Sequence, residues 1–482
     1  MHAKNLTFFI WSMIVLSITN TLFSQTIVPK KGSYGVDDKN KIIVWHNSNL
    51  DSLTAFENNN KIEFNAVYQL PKITSKLSYN QSYELKRDNS TFHLYITRLP
   101  VVKINFDTVK LVNNKKTPGY LTYYNENKFE ESVMGIRQRG NLSLTFPKKS
   151  YDIEVWKDSL KKESKDVKFK GLRSDDDWIL DGLYNEPLRL RSTVATKMWT
   201  DFHKPYYLDK EPKAVNGFGV KFVELFRNGE YLGLYGLSES VDRKQLRLKK
   251  NDGTKVFGEL FKANSYEGGT SFKKAGEYNN IFPHYLGFRM EYPVIDYNSH
   301  WNNLSALLDL VVNQSDDSFI KNIGRQIDIS NTIDYFIYVN LLRATDNLGK
   351  NYYLAKYDAK EPYFFVPWDV DGTFGVILKG KRISTTNDIL SNNLFDRLLR
   401  LNPNGFNEKL KLRWQALRAD ELNDKNIFKR FTKYYERFNE EKIYEREFNR
   451  WAKDTTNDND YDYLNKWISD RLAFLDDHFN KL

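Results

Sequence analysis

The chain has 482 residues, of which 40% are hydrophobic, 15% are aromatic and none is cysteine, and its formal net charge is +10. This composition excludes collagen-like, disulfide-stapled and wholly disordered proteins, and the absence of cysteine excludes thiol catalysis, thiolate-bound zinc and iron–sulfur clusters. The positive excess is modest for so long a chain, so we expect no nucleic-acid partner.

Residues 1–24 predict a signal peptide. Lys4 gives a basic start, residues 8–16 form an apolar run, and residues 22–24 offer a cleavage site, so that the mature chain begins near Gln25. The apolar run is too short to predict a membrane span, and an uncleaved anchor is the alternative. We therefore expect a secreted, periplasmic or cell-surface protein with no stable membrane span after cleavage.

Two β-rich stretches make up the first half. Residues 25–98 contain short alternating runs between turn-forming clusters, which predicts a small β-rich N-terminal unit. Residues 99–241 continue the strand pattern, and Asn228-Gly229 between two apolar runs predicts a hairpin, because both turn residues must accept a positive φ. Within this stretch, apolar residues after Pro187 recur at helical spacing and predict one helix.

The pattern changes to helical over residues 242–482. Apolar positions recur with helical spacing in most of this half, and a predicted strand pair over residues 351–357 and 363–368 interrupts them. A β-rich half followed by a mostly helical half predicts an α+β fold with room for a cleft between the halves.

The segment that carries most chemistry contains Asp369 and Asp371, which we expect to close the second strand of that pair. Alternate side chains of a strand share a face, so the two carboxylates project together and repel each other unless they are protonated, solvated or bridged by a cation. Such oxygen ligands suit Mg²⁺ or Mn²⁺, with phosphates in the remaining positions. The alternative is that the two residues cap a turn before Gly372.

Asp346 and Asn351 have the spacing of two protein-kinase residues. In kinases an Asp accepts the proton of the substrate hydroxyl, an Asn five positions later holds a metal, and a later Asp bridges metal and phosphates. Asp369 follows Asn351 after the predicted hairpin, as the metal-binding Asp does in kinases. The match is partial, since Ala344-Thr345 stands where kinases have His-Arg.

Further charged residues lie upstream. Lys148 and Lys149 begin a predicted strand after a glycine-containing turn and can neutralise nucleotide phosphates, although a basic pair on a surface turn explains them equally. Glu186 lies at the start of the predicted helix and can pair with either lysine. The alternative is that it is simply an acidic residue at a helix start, where the helix dipole favours it. Glu239 ends the second hairpin strand, close to where a hinge would meet the adenine or ribose, or is a solvent-exposed end.

Taken in chain order, these motifs resemble the spore-coat-protein-H (CotH) kinase family. The resemblance rests on Arg139-Gly140-Asn141, Phe146-Pro147-Lys148-Lys149-Ser150-Tyr151, Asp177-Trp178-Ile179-Leu180, Leu190-Arg191, Phe222-Val223-Glu224-Leu225, Asn228-Gly229-Glu230-Tyr231-Leu232-Gly233 and Pro367-Trp368-Asp369-Val370-Asp371. It covers residues 99–482 and leaves residues 25–98 outside. Several motifs in one order are a more specific signal than any one of them.

The resemblance implies an atypical bilobal protein-kinase-like fold, with a β-rich N-lobe over residues 99–241 and a mostly helical C-lobe over residues 242–482. It implies transfer of the γ-phosphoryl group of ATP to Ser or Thr of an exported protein or of the chain itself, with Mg²⁺ or Mn²⁺. By similarity, the site residues are Asp346 as the catalytic Asp, Lys149 or the adjacent Lys148 on the phosphates, Asn351, Asp369 and Asp371 as metal ligands, and Arg139, Glu186, Arg191 and Glu239 as further nucleotide contacts.

Three other functions compete with this interpretation. A hydrolase is disfavoured, because the histidines are scattered and the chain has no G-x-S-x-G elbow. A glycosidase can use Asp369 or Asp371 with Glu239, but we expect most of the aromatic residues to be core rather than sugar-binding. An exported surface or adhesion protein can keep a kinase-like scaffold without phosphoryl transfer. The presence of Asp346, Asn351 and Asp369 together favours catalysis over this last alternative.

Overall fold

The structure is a computed structural model, and it describes residues 26–50, 61–71, 76–111, 115–126, 128–160, 163–253, 255–277, 282–294, 298–451 and 457–482. The predicted signal peptide, residues 1–24, lies outside these ranges. None of the helices within them combines the length and the apolar character that a membrane crossing requires.

A six-stranded sheet forms the N-terminal part. Its strands alternate between buried and exposed residues, as in the fifth, where buried Tyr83 and Leu85 alternate with exposed Glu84 and Lys86. The strands predicted from the alternating runs are therefore present. They are β1 (Tyr34–Asp37), β2 (Ile42–His46), β3 (Lys61–Glu63), β4 (Val67–Gln69), β5 (Tyr83–Arg87) and β6 (Ser90–Thr97), in the order β1-β2-β6-β5-β4-β3.

A closed β-barrel follows. Its strands are β7 (Val101–Phe106), β8 (Thr117–Asn125), β9 (Lys128–Arg139), β10 (Ser150–Trp156), β13 (Asp177–Asp181), β14 (Val220–Arg227) and β15 (Glu230–Ser238), in the order β10-β13-β15-β14-β7-β8-β9, and the short pair β11 (Val167–Lys168) and β12 (Ser174–Asp175) lies outside it. The hairpin predicted at Asn228-Gly229 joins β14 to β15, and both turn residues have a positive φ, 49° and 80°. That prediction is confirmed.

One helix, α1 (Arg191–Phe202), lies between β13 and β14. It buries Val194, Met198 and Trp199 on the spacing seen in the sequence, so the helix is confirmed. It begins at Arg191 and not at Pro187, because Arg189 has a φ of 58°, which a right-handed helix cannot contain.

The second half combines a sheet with helices. The sheet has the order β17-β18-β16-β19-β20 and contains the predicted strand pair as β19 and β20. The elements are β16 (Glu259–Ala263), β17 (His284–Tyr285), β18 (Phe288–Tyr292), β19 (Tyr352–Lys356), β20 (Tyr363–Pro367), β21 (Val376–Ile377), β22 (Lys381–Arg382), α2 (Arg243–Leu246), α3 (Asn302–Val312), α4 (Asp316–Gln326), α5 (Ile329–Leu342), α6 (Asn393–Leu401), α7 (Phe406–Ala419), α8 (Asp424–Glu440), α9 (Ile443–Trp451) and α10 (Asn457–Asn480). The predicted α+β fold class is confirmed.

Helix α5 fixes the part of this half that matters for the site. Its residues from Asn331 to Leu342 are buried, and the Asn331 side chain bonds the edge of β20 by donating to the Phe365 carbonyl at 3.0 Å and accepting from the Phe365 N–H at 2.6 Å. The helix ends where Arg343 takes a left-handed conformation. The start of α5 is thereby held beside the middle of β20.

Candidate active site

A cavity of about 370 Å³ lies between the barrel and the second half of the chain. The barrel side contributes the end of β9, the end of β13 and the first turn of α1, and the other side contributes β16 and the segments after α5 and β20. Of the residues predicted from the sequence, this cavity brings together Arg139, Asp346, Asn351, Asp369 and Asp371.

Asp346 lies in a short 3-10 helix, Thr345–Leu348, directly after α5. Its carboxylate accepts a hydrogen bond from the Tyr266 hydroxyl at 3.2 Å and pairs with Lys350 at 3.0 Å. The neighbouring Asn347 side chain donates to the carbonyls of Asn351 at 2.6 Å and Trp368 at 2.9 Å. This buried amide therefore ties the Asp346 segment to the segment that carries Asp369.

Asp369 and Asp371 do not lie on a strand, so that part of the prediction is wrong. Strand β20 ends at Pro367, and Asp369 has a φ of 52°, which breaks the strand alternation. Asn351 likewise precedes β19 rather than opening it and has a φ of 59°. A turn, the alternative considered for the sequence, brings both carboxylates to the same cavity.

Two carboxylates of this cavity, those of Asp369 and Asp371, are not neutralised by a neighbouring base, unlike that of Asp346. Among the described residues no ion pair involves Asp369 or Asp371. Burial, Asp369 and Asp181 together raise the pKa of Asp371 well above its usual value. Burial also raises the pKa of Asp369, whereas the Arg139 charge lowers it. The Asp369 side chain nevertheless stays exposed to solvent where it lines the cavity.

Mutual repulsion and oxygen-donor chemistry make this set suitable for Mg²⁺ or Mn²⁺. The donors are Asn351, Asp369, Asp371 and Asp181, and they are spread across the cavity rather than drawn into one cluster. Within the described ranges, the acidic residues whose ligand atoms lie within 4.8 Å of one another are instead Asp166, Asp175 and Asp176.

That second acidic group is neutralised by bases. Asp175 pairs with Arg173 and, at 3.2 Å, with Lys244, which also pairs with Asp176 at 3.2 Å. We therefore place no metal there.

Three charged residues of the cavity were not predicted from the sequence. Asp181 ends β13 and accepts hydrogen bonds from the Ser150 hydroxyl at 3.1 Å and the Leu183 N–H at 3.2 Å. Lys262 on β16 lies with its ammonium nitrogen 5.5 Å from the Trp368 ring centre, and burial lowers its pKa. Lys350 is the third. Its position next to Asn351 was a usable signal, whereas nothing in the sequence around Asp181 or Lys262 indicates the cavity.

Lys148 and Lys149 do not line this cavity. The Lys148 ammonium is buried between the Glu447 carboxylate, at 2.8 Å and 2.9 Å, and the Leu234 carbonyl, at 2.6 Å. Burial lowers the pKa of Lys148 to about 8. Its side chain borders a smaller adjoining space of about 30 Å³ that Asp371 also lines. The Lys149 ammonium donates to the Leu144 carbonyl at 2.6 Å.

Glu186 and Arg191 pair with each other at 2.6 Å, both buried, so the predicted pairing of Glu186 with Lys148 or Lys149 is wrong. Lys148 has Glu447 as its partner, and Glu447 lies on α9, far along the chain. Arg191 also donates to the Phe374 carbonyl at 3.3 Å. The Glu186–Arg191 pair therefore connects the start of α1 to the segment that carries Asp371.

Glu239 lies outside the cavity. It is buried, not a solvent-exposed strand end, and its carboxylate accepts from the N–H groups of Arg173 at 2.6 Å and Gly219 at 2.7 Å. It lines a separate cavity of about 680 Å³ on the other side of Phe218 and Gly219.

An α+β protein with a barrel, a helical half and an acidic cavity between them is the class that these observations define. A comparison with protein families matches residues 136–475, more than half of the chain, to the family described as CotH kinase protein. The chain belongs to the CotH kinase family. A search among curated proteins gave no match to the chain.

Proposed function

We propose that this protein is an exported, metal-dependent protein kinase with the two-lobed arrangement of kinases, in which the barrel and the helical half form the lobes. It transfers the γ-phosphoryl group of ATP to Ser or Thr of an exported partner or of itself. Membership of the CotH kinase family supports kinase activity, and one structural observation supports the location of the active site. Oxygen donors and the cations Arg139, Lys262 and Lys350, which come from distant parts of the sequence, line the same cavity.

The residues divide the work between them. Asp369, Asp371, Asn351 and Asp181 hold Mg²⁺ or Mn²⁺, which when bound neutralises charge on the phosphates. Arg139, Lys262 and Lys350 replace the predicted Lys148 and Lys149 as the cations that face the nucleotide, because their side chains line the cavity.

Asp346 accepts the proton of the acceptor hydroxyl. Its carboxylate is partly exposed, and it already accepts a hydroxyl hydrogen bond, which is the geometry a general base needs.

The test is incubation of the purified protein with labelled ATP and Mn²⁺, with intact-mass detection of added phosphate. Asp346→Ala should lower the rate of phosphoryl transfer by at least about 100-fold, because general-base catalysis contributes about that much. It should leave nucleotide binding intact. Asp470→Ala is a matched control. Asp470 pairs with Lys466 at 2.9 Å four positions away, as Asp346 pairs with Lys350, and its side chain is 46% exposed against 41%.

Persistent transfer in Asp346→Ala would contradict the role of Asp346. Metal-dependent nucleotide binding by the wild-type protein without any transfer would favour the alternative, an exported surface or adhesion protein that keeps a kinase-like scaffold.

A further inference from the structure

The hydroxyl of Tyr266 lies on the proposed catalytic base. It donates to Asp346 Oδ1 at 3.2 Å and to the Asp346 carbonyl at 3.1 Å. Tyr266 belongs to the segment after β16, and its ring packs so closely on Gly349 that a Cβ there would lie 2.4 Å from the ring. The Lys350 ammonium lies 5.5 Å from the ring centre. The ring is thus held between backbone and cation, with its hydroxyl turned to Asp346.

This arrangement is what a phosphoryl acceptor requires. A general base must lie within hydrogen-bond reach of the proton that it removes, and among the described residues Tyr266 supplies the hydroxyl hydrogen bond to this carboxylate. Burial and the Asp346 charge raise the pKa of Tyr266, so the phenol stays protonated until a base acts on it. The residue is also 56% exposed, so it lies at the surface beside Asp346 and not in the core.

We propose that Tyr266 is an intramolecular acceptor, and that the protein phosphorylates its own Tyr266 in cis. The inference rests on the metal-dependent phosphoryl transfer of the proposed function, and it adds a tyrosine to the Ser and Thr acceptors proposed there. The Tyr266 oxygen forms a bond to the γ-phosphorus of ATP, and the bond from that phosphorus to the β–γ bridging oxygen breaks. ADP leaves with that electron pair, and the phenolic proton passes to Asp346 Oδ1.

The product cannot keep the contact that made it. Phosphotyrosine carries a charge of about −1.5 to −2 at neutral pH, so it repels the Asp346 carboxylate and no longer has a proton to donate. The modified segment must move away from Asp346, and Gly268 and Gly269, two and three positions after Tyr266, allow the backbone to turn. Each chain therefore reacts once at this residue, and the reaction uncovers the base for other acceptors.

The experiment is phosphosite mapping by mass spectrometry after the purified protein is incubated with ATP and Mn²⁺ at several protein concentrations. We expect phosphate on Tyr266 with a rate that does not depend on protein concentration. Tyr266→Phe should lose the modified peptide, whereas Tyr120→Phe should keep it, because Tyr120 is similarly exposed, at 58%, and lies on β8 away from the cavity.

Nucleotide binding to the wild-type protein is measured in parallel, and it separates the two proposals. Binding and transfer to other residues, with Tyr266 unmodified, would overturn this inference and leave the proposed function standing. A rate that rises with protein concentration would overturn the reaction in cis. Absence of metal-dependent binding would overturn the proposed function itself. The wild-type map decides the question even if Tyr266→Phe fails to fold.

Discussion

Charged side chains are arranged in opposite ways on the two sides of Asp181. Where α9 packs on β15, buried acidic and basic side chains form ion pairs. Glu447 pairs with both Lys148 and Arg189, and Glu224 pairs with Arg446. We call this set the paired network. In the cavity, Asp369, Asp371 and Asp181 face one another with no ion pair to Asp369 or Asp371 among the described residues.

The difference separates charges that hold the fold from charges kept for a ligand. A buried ion is costly to desolvate, and an opposite charge in good geometry offsets that cost. The paired network meets this condition within the chain. The cavity does not, so its carboxylates lower the stability of the free protein until something positive binds there. Three predictions test how the chain stabilises ionisable groups, in these two regions and at His46.

The largest effect is expected in the paired network. Arg446→Ala leaves Glu224 buried without its partner, and we expect the free energy of unfolding to fall by about 3–5 kcal/mol in chemical denaturation. Arg400→Ala is the control, since Arg400 is 60% exposed in its pair with Asp316, and exposed pairs contribute at most about 1 kcal/mol. Equal losses in the two variants would show that the network does not stabilise the fold.

A buried neutral group gives the next effect. His46 Nδ1 donates to the Leu99 carbonyl at 2.7 Å, and Nε2 accepts from the Glu126 N–H at 2.9 Å, so the ring has no site for a second proton. Burial accordingly lowers the pKa of His46. Its contribution to stability is full above the unfolded pKa of about 6.5 and falls below that pH by up to about 1.4 kcal/mol per unit.

The measurement for His46 is unfolding of the wild-type protein and of His46→Gln across this pH range. The difference between the two should shrink as the pH falls below about 6.5. A difference that is constant with pH would contradict the assignment of a neutral, doubly bonded ring.

The smallest effect is expected in the cavity, and it has the opposite sign. Asp371→Asn removes a like charge, so the metal-free protein should become more stable by about 1 kcal/mol at neutral pH. The folded protein raises the pKa of Asp371, so the wild-type protein loses stability as the pH rises above the unfolded pKa of this carboxyl group. In acid the carboxyl group is protonated in both states, and the stability gained by Asp371→Asn should vanish. Denaturation with a metal chelator checks this, and destabilisation at neutral pH would show that Asp371 is a structural residue.

The sequence predicts those features that depend on neighbouring residues. Asn228-Gly229 specifies its own turn, and the spacing of Asp346 and Asn351 survives because the short segment between them lies between α5 and β19. The fold class follows from the change of periodicity between the two halves. The prediction of a strand that includes Asp369 and Asp371 was wrong, because Asp369 takes a positive φ immediately after Trp368. The local turn overrides the alternation of side chains that a strand requires.

Contacts between distant residues account for the rest. The partner of Lys148 is Glu447, 299 positions away, and no local pattern links them. In the sequence, Lys262 is a single lysine within an apolar strand, and Asp181 is the last residue of another apolar strand. Neither position indicates a site. Only closure of the barrel and docking of the sheet bring these two side chains to the cavity of Asp369.

The central claim is that unpaired carboxylates in the cavity bind a metal and, through it, a nucleotide. Titration of ATP into the wild-type protein and into Asp369→Ala, each with and without Mn²⁺, tests it most directly, with Asp470→Ala as the control. The account predicts that Mn²⁺ strengthens ATP binding to the wild-type protein and to Asp470→Ala, and that Asp369→Ala loses this effect. Metal-dependent binding by Asp369→Ala as tight as that of the wild-type protein would contradict it.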